Sequence, residues 1–282
     1  MRPVAITADA DADSERPGLT DGELWARDQL ARLRGAGFTP RATARFLAAS
    51  RRRAREQRAA RPATARRMRA WIALGAAAWA APALAGREPF AGRTRAFVAW
   101  WALTWLMLDW HIGMLETEDG TPRNLGRADA CTLLRVWLVP AAAGAPRPWM
   151  CALALASDGL DGALARRDGP TRIGRDLEGL ADVAFAAAAL RGAVRRGWLG
   201  RPAATAELGR IALGIAYSTT VWFGRARAPQ ARVLHAARAA TPLRAGGLIA
   251  AGLGRRRLAD GLVGAGALAS AIATAAAVRP RG

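Results

Sequence analysis

The sequence contains no lysine, so all 42 of its basic residues are arginine. Against 22 acidic residues this gives a net charge of +20. Such an excess is typical of nucleic-acid-binding proteins, but membrane proteins with several spans also collect arginine in cytoplasmic loops and near anionic headgroups. Most of the arginines lie outside long apolar runs, which favours the membrane interpretation, and we expect no nucleic-acid partner. The use of Arg and Ala in place of Lys, Ile and Asn indicates a G+C-rich genome, and we expect a bacterial origin.

Alternating apolar and polar residues, and β-branched runs, are also lacking. Their absence excludes soluble α/β and all-β folds and predicts an all-α protein. Cysteine is scarce: Cys131 and Cys151 both lie in apolar runs, where they are expected to be small packing residues rather than a disulfide or a metal site. No cleavable signal is visible, because the first apolar run begins only at Trp71.

Long apolar runs are what the sequence does contain. They cover residues 71–86, 96–115, 128–143, 148–165, 176–194, 205–224 and 258–278. A helix needs about 20 residues to cross the hydrocarbon, so several of these runs are short. Their separation from the charged residues nevertheless predicts a polytopic membrane helical bundle in the cell membrane. Eight spans are expected if residues 241–257 also cross, and seven if they do not.

The N-terminal region divides into three predicted parts. Residues 1–18 are expected to form a disordered arm, and residues 19–69 a cytoplasmic, arginine-rich helical arm. Thr20 and Glu23 have capping-box spacing, and a second helix is expected to start at Thr39 and Pro40. Whether this second, basic helix contacts lipid or only solvent is left open. Residues 70–116 are predicted to form an extra transmembrane hairpin, with the arginines just before Trp71 keeping the N-terminus inside.

The most informative segment runs from residue 157 to residue 183. Asp158 and Asp161 are three residues apart and Glu178 and Asp182 four apart, so each pair occupies one helical face. Four ionised carboxylates at the cytoplasmic end of a helical hairpin require compensation, and two Mg²⁺ or Mn²⁺ ions would provide it. The alternative is that the acids only pair with the loop arginines Arg166, Arg167, Arg172 and Arg175.

The full pattern of this segment is D-x-x-D-G-x-x-A-R followed by G-x-x-x-E-x-x-x-D. It resembles the signature of the CDP-alcohol phosphatidyltransferase family, which has Asp in place of the Glu. Upstream, residues 128–140 are similar to the family's A-N-x-x-T-x-x-R helix. The resemblance assigns residues 124–280 to the six-helix family domain and leaves two extra spans and the arm outside it.

The resemblance implies a membrane enzyme that displaces CMP from a CDP-linked lipid, usually CDP-diacylglycerol, with an alcohol in phospholipid biosynthesis. Its active site would face the cytoplasm, and a homodimer is one option. It assigns two metal ions to Asp158, Asp161, Glu178 and Asp182, and base catalysis to Asp182. The CDP portion would contact Asp129, Thr132, Gly162, Arg166 and Thr171.

Three departures from the family pattern bear on activity. Glu178 replaces an Asp, the spacing from Arg166 to Gly174 is one residue shorter than usual, and Asp129 replaces the common Asn. Two-metal chemistry tolerates little misplacement of its ligands. A catalytically weakened family member, or a transporter that binds a nucleotide-lipid or a metal without turnover, is therefore the alternative function.

Other polar residues within the apolar runs suggest further roles. Arg210, followed by Arg225, Arg227 and Arg232, is expected to bind the acceptor, which would then be a phosphorylated polyol. Anionic lipid contact explains the three later arginines equally well. Asp109 and His111 are expected either to line the substrate chamber or to form a satisfied pair near the headgroups.

Overall fold

A computed structural model of the chain describes residues 20–117, 119–224 and 229–278. The chain is all-helical at 83% helix, and no strand occurs among the described residues, which confirms the predicted all-α class. The helices are α1 (Asp21–Gly35), α2 (Pro40–Ala60), α3 (Pro62–Leu84), α4 (Thr94–Trp110), α5 (Arg127–Ala142), α6 (Pro148–Asp168), α7 (Arg172–Arg195), α8 (Arg201–Thr219), α9 (Ala231–Arg238), α10 (Thr241–Gly252) and α11 (Arg256–Val278). The predicted disordered arm, residues 1–18, and Arg225 and Arg227 lie outside the described residues.

The two helices of the N-terminal arm begin where the sequence predicts. Thr20 caps α1: its Oγ1 accepts from the Glu23 backbone N–H at 3.4 Å, and its own N–H donates to Glu23 Oε2 at 3.1 Å. Both halves of the capping box are therefore present. Helix α2 follows Thr39, with Pro40 at its first position, where proline costs no hydrogen bond.

Helix α3 begins at Pro62, before the apolar run at Trp71, so the expected boundary between arm and hairpin at residues 69–70 lies inside a helix. The difference arises because backbone hydrogen bonding and an N-terminal proline set a helix start, whereas polarity only marks which part can contact lipid. Aromatic packing joins α3 to α4, since Trp79 stacks on Phe97 at 4.2 Å between ring centroids. Trp100 of α4 donates to the Val136 carbonyl at 2.9 Å, which seats the hairpin on α5.

The remaining helices form one connected bundle. Helix α5 packs against both α6 and α7, α10 packs against α11 and α6, and α11 packs against α8 and α9. Helix α10 has 12 residues, about 18 Å of length, which is too short to cross a membrane by itself. Within the described part of the chain, Arg256–Val278 is the one helix that length and apolar composition alone qualify as a membrane span.

Candidate active site

The loop between α6 and α7 brings two acidic helix ends to the same end of the bundle. Only three residues separate Asp168 from Arg172. Gly169 ends α6 with a positive φ of 82°, which costs glycine little, and its carbonyl accepts from Arg123 Nη1 at 2.8 Å. Thr171 then caps α7 by accepting from the Gly174 N–H at 3.0 Å. The end of α6 and the start of α7 are therefore joined by a short turn, and both helices pack against α5.

Three of the four predicted metal ligands converge at this point. One carboxylate oxygen from each of Asp158, Glu178 and Asp182 lies within 4.8 Å of the other two. All three side chains are partly exposed, between 26% and 37%. Partly exposed carboxylate oxygens at this spacing could together bind one cation.

The fourth predicted ligand, Asp161, is held differently. It is 5% exposed, and its Oδ2 accepts from the Thr132 hydroxyl and from Arg135 Nη2, the latter at 3.0 Å. The structure therefore places Asp161 beside the group of three but engages it with α5. The Thr132 hydroxyl, predicted to contact the CDP portion, therefore donates to Asp161 in this structure.

Arg135 is the residue that sequence reasoning missed. It is 2% exposed and reaches three acids: its Nη2 lies 3.0 Å from Asp161 and 3.6 Å from Asp158, and its Nε lies 2.9 Å from Asp182 Oδ1. The Nε contact is an ion pair by distance, although the N–H is not aimed at the oxygen. Arg135 Nη1 has no hydrogen-bond partner among the described residues. The sequence spacing could have identified Arg135, because it follows Thr132 by three residues and so lies on the same helical face.

Charge and donor chemistry at the site fit a divalent cation. Glu178 pairs with Arg238 of α9, Nη1 to Oε1, at 2.9 Å. When all four carboxylates are ionised, the two guanidiniums of Arg135 and Arg238 leave two negative charges without compensation. Oxygen ligands from Asp158, Glu178 and Asp182 are the kind that Mg²⁺ and Mn²⁺ prefer. These three residues could hold one cation, whereas Asp161 would first have to leave its present partners.

The residues expected to contact the CDP portion fall into two groups. Asp129 and Thr171 bind each other: Asp129 Oδ1 accepts from the Thr171 hydroxyl at 3.1 Å, and its Oδ2 accepts from the Gly126 N–H at 2.7 Å. Both are buried, so they fix the start of α5 against the start of α7. In the other group, Arg166 is exposed, and a Cβ placed at Gly162 would lie 3.3 Å from its Nη1.

Arg210, the predicted acceptor residue, binds Glu207 rather than the carboxylate group. Its Nε and Nη2 donate to the two Glu207 oxygens at 2.8 and 2.7 Å. Glu207 is 3% exposed and also lies 3.2 Å from Arg244 Nε. Arg210 thus belongs to a buried ion cluster between α8 and α10, and its role in acceptor binding stays a prediction.

Asp109 and His111 each have a partner of their own in the structure. Asp109 forms an ion pair with Arg58 of α2. His111 is exposed, and its Nδ1 lies 2.8 Å from the Met107 carbonyl oxygen. Asp109 therefore ties the N-terminal arm to the end of α4.

Gly174 is expected to be intolerant of a side chain. An added Cβ would lie 2.7 Å from Thr171 Oγ1 and 2.9 Å from Asp129 Oδ1, and would disrupt both the cap and the Asp129 contact. Gly174→Ala should lower the free energy of unfolding by about 1–3 kcal/mol, the cost of overpacking. Gly261→Ala in α11 meets nothing within 4 Å and should instead stabilise by up to about 1 kcal/mol. Thermal unfolding in detergent compares the two, and equal effects would contradict this account of Gly174.

Comparison with known families covers the same region. A family model described as CDP-alcohol phosphatidyltransferase matches residues 125–276, more than half of the chain, and this match includes α5 to α10 and most of α11. No curated protein and no solved structure gives a match to the chain. The matched region contains the four carboxylates and Arg135 but none of α1 to α4. The chain belongs to the CDP-alcohol phosphatidyltransferase family.

Proposed function

We propose that the protein is a multi-pass membrane enzyme that transfers a phosphatidyl group from CDP-diacylglycerol to an alcohol and releases CMP. The observation that carries this proposal is the meeting of Asp158, Glu178 and Asp182 within 4.8 Å, next to the buried guanidinium of Arg135. A family that transfers groups from CDP-alcohols must bind a diphosphate, which needs cationic partners. The carboxylate cluster can supply such partners, because it lies beside Arg135 and could bind a metal ion.

Residues of the cluster account for the chemistry of transfer. The acceptor oxygen attacks the phosphorus that carries the diacylglycerol, a new P–O bond forms, and the bond to the CMP oxygen breaks. Asp182 takes the proton of the attacking hydroxyl. Arg135 Nη1, buried and without a partner among the described residues, can donate to a phosphate oxygen. A divalent cation bound by Asp158, Glu178 and Asp182 would neutralise charge on the diphosphate.

Binding of the CDP portion is assigned to the ends of the same helices. Arg166 is exposed beside Gly162 and so has donors available for a phosphate. Thr132, Asp129 and Thr171 would each have to exchange a present hydrogen bond for one to the nucleotide. Their present hydrogen bonds satisfy these buried polar groups before the substrate arrives, which lowers the cost of burying them.

Placement in the membrane is supported by the surface of the bundle. Large apolar side chains are exposed on several helices, including Leu103 and Leu106 of α4, Leu153 and Leu160 of α6, Leu213 and Ile215 of α8, and Leu268 and Ile272 of α11. So many exposed apolar groups are a liability in water and are expected where lipid covers the protein. The arginines of α2 and early α3 favour the cytoplasmic side for the N-terminal arm and for the site.

The acceptor that we propose is a phosphorylated polyol such as glycerol phosphate or inositol phosphate. The exposed arginine beside the carboxylates is Arg238, with a side chain that is 53% exposed, rather than Arg210. An exposed guanidinium next to the attacking site would attract and orient a dianionic acceptor. Arg210 would support the same function only if its pair with Glu207 opened.

One observation favours the alternative of a weakened enzyme. Arg135 and Arg238 already pair with the three metal-site carboxylates, so a cation must compete with two guanidiniums. Membranes containing the protein, supplied with CDP-diacylglycerol, Mn²⁺ or Mg²⁺ and a panel of alcohols, distinguish the two functions. We expect CMP release with a phosphorylated polyol as the best acceptor. Metal binding without CMP release would support the weakened enzyme, and serine as the best acceptor would contradict the acceptor class.

Glu178 should set the preference for the metal ion. Its side chain is one methylene longer than the Asp of the family pattern, which suits a larger, less strictly octahedral cation than Mg²⁺. We expect Mn²⁺ to support a higher rate than Mg²⁺, and Glu178→Asp to reduce that preference. Rates measured across both metals should not change in the control variant Glu56→Asp, which alters an exposed residue of α2. An identical metal profile in Glu178→Asp and wild type would mean that Glu178 is not a ligand.

A further inference from the structure

The first turn of α7 is held by residues that precede the family region. Arg172, the first residue of α7, has a side chain that is 7% exposed and pairs with Glu23 of α1. Its Nη1 lies 2.5 Å from Thr20 Oγ1 and 3.8 Å from Glu116 Oε1. Its backbone N–H donates to the Glu116 carbonyl at 3.0 Å. The N-terminal arm therefore contacts the helix that carries two of the three clustered carboxylates.

These contacts compensate an otherwise unfavourable arrangement. A cation at a helix N-terminus opposes the helix dipole, and burial of its charge adds a desolvation cost. Glu23 and Glu116 supply two negative charges around Arg172, and Arg61 Nη2 lies 3.7 Å from Glu116 Oε2. Two guanidiniums and two carboxylates thus form a neutral cluster. Without the two acids, Arg172 would lose the carboxylates that pair with it directly in this position.

The arm is itself anchored at points away from Arg172. Arg61 Nη1 donates to the carbonyls of Gly113 and Leu115, at 3.3 and 3.4 Å, and so fixes the segment that carries Glu116. At the other end of α1, Arg34 Nη1 donates to the Gly224 carbonyl at 2.6 Å, just beyond α8. Helix α1 therefore spans from the start of α7 to the end of α8, two elements of the family domain.

We propose that Glu23 and Glu116 are positioning residues for the transfer reaction, acting through Arg172 to hold α7 where Glu178 and Asp182 meet Asp158. This inference rests on the proposed function. Glu178 and Asp182 follow Arg172 by six and ten residues, roughly 9 and 15 Å along a helix axis, so a shift of the first turn reaches both. A cation held by three carboxylates on two helices is sensitive to such a shift.

The variants Glu23→Gln and Glu23→Gln/Glu116→Gln test this in the full-length protein in lipid nanodiscs. Glutamine retains the capping box at Glu23, and the Glu116 backbone bond to α7 is unaffected, so the substitutions remove charge but not the helix start. The matched control is Asp28→Asn, which removes a carboxylate of α1 that pairs with exposed Arg32 at 3.0 Å and accepts from the neighbouring Gln29 side chain at 3.2 Å. Mn²⁺ binding by electron paramagnetic resonance, hydrogen exchange of residues 172–182 and CMP release are measured for each.

We expect the double variant to weaken Mn²⁺ binding about tenfold, as loss of a charge-assisted contact would, and to speed hydrogen exchange in the first turns of α7. The single variant should show a smaller change, and Asp28→Asn none. Unchanged exchange in α7, or faster exchange spread equally over all helices, would overturn the inference. If the double variant changes α7 exchange and Mn²⁺ binding but the wild type releases no CMP, Glu23 and Glu116 still position α7 for the cation and the proposed function is rejected. If the double variant releases CMP with the same metal dependence as the wild type, the proposed function stands and the inference about Glu23 and Glu116 is rejected.

Discussion

Asp182→Asn should abolish transfer while the protein still folds and inserts. The amide keeps the size of the side chain but can neither take the proton of the attacking alcohol nor serve as an anionic ligand. Loss of a general base alone lowers a rate by about 10²–10⁴, and the simultaneous loss of a metal ligand places the effect at or beyond the upper end. CMP release by the purified variant in nanodiscs measures it.

The stability of Asp182→Asn should not fall with its activity. The site carries excess negative charge, so removing one carboxylate relieves repulsion, and the apparent melting temperature should be unchanged or higher. The control is Asp168→Asn in the same hairpin, which breaks a largely exposed ion pair with Arg127 and should leave both rate and melting temperature near wild type. A near-normal rate for Asp182→Asn would show that another group is the base.

Arg135→Gln should have the largest effect on stability. Arg135 is 2% exposed and is the common partner of Asp158, Asp161 and Asp182. Removing one member of a buried ion pair costs about 3–5 kcal/mol, because the remaining charges lose their compensation. We expect the apparent melting temperature in EDTA to fall by on the order of 10 °C for a domain of this size.

Adding Mn²⁺ tests whether Arg135 and the cation compete for the same carboxylates. With the guanidinium gone, a cation no longer competes with it for the carboxylates, so Mn²⁺ should raise the melting temperature of Arg135→Gln more than that of wild type. Arg191→Gln, at an exposed position of α7, should shift neither value. Equal Mn²⁺ stabilisation of wild type and Arg135→Gln would mean that Arg135 and the cation do not share the same acids.

Local structure could be predicted well from the sequence. The capping box of Thr20 and Glu23 predicts α1, which runs over Asp21–Gly35. The spacing of the carboxylates along α6 and α7 predicts a group of four, of which Asp158, Glu178 and Asp182 meet. The capping box depends on residues three apart, for which helix geometry alone decides what meets, whereas the carboxylate group also depends on the short loop that joins α6 to α7. Helix α3 was predicted less well, because a change in polarity does not mark a helix start.

Contacts between distant segments could not be predicted. Arg135 becomes central only because α5 lies between α6 and α7, and Arg172 meets Glu23 across a sequence separation that no local pattern encodes. The partner of Arg210, by contrast, could have been predicted. Glu207 lies three residues earlier on the same helix, which is the spacing of a local ion pair.

CMP release by wild-type protein, supplied with CDP-diacylglycerol and a phosphorylated polyol, tests most directly whether the three clustered carboxylates hold a cation that transfer requires. The measurement is made before chelation, in excess EDTA and after Mn²⁺ is returned in excess over the chelator. We predict release before chelation, its loss in EDTA and its recovery with Mn²⁺. Turnover that continues unchanged in excess EDTA would contradict the account.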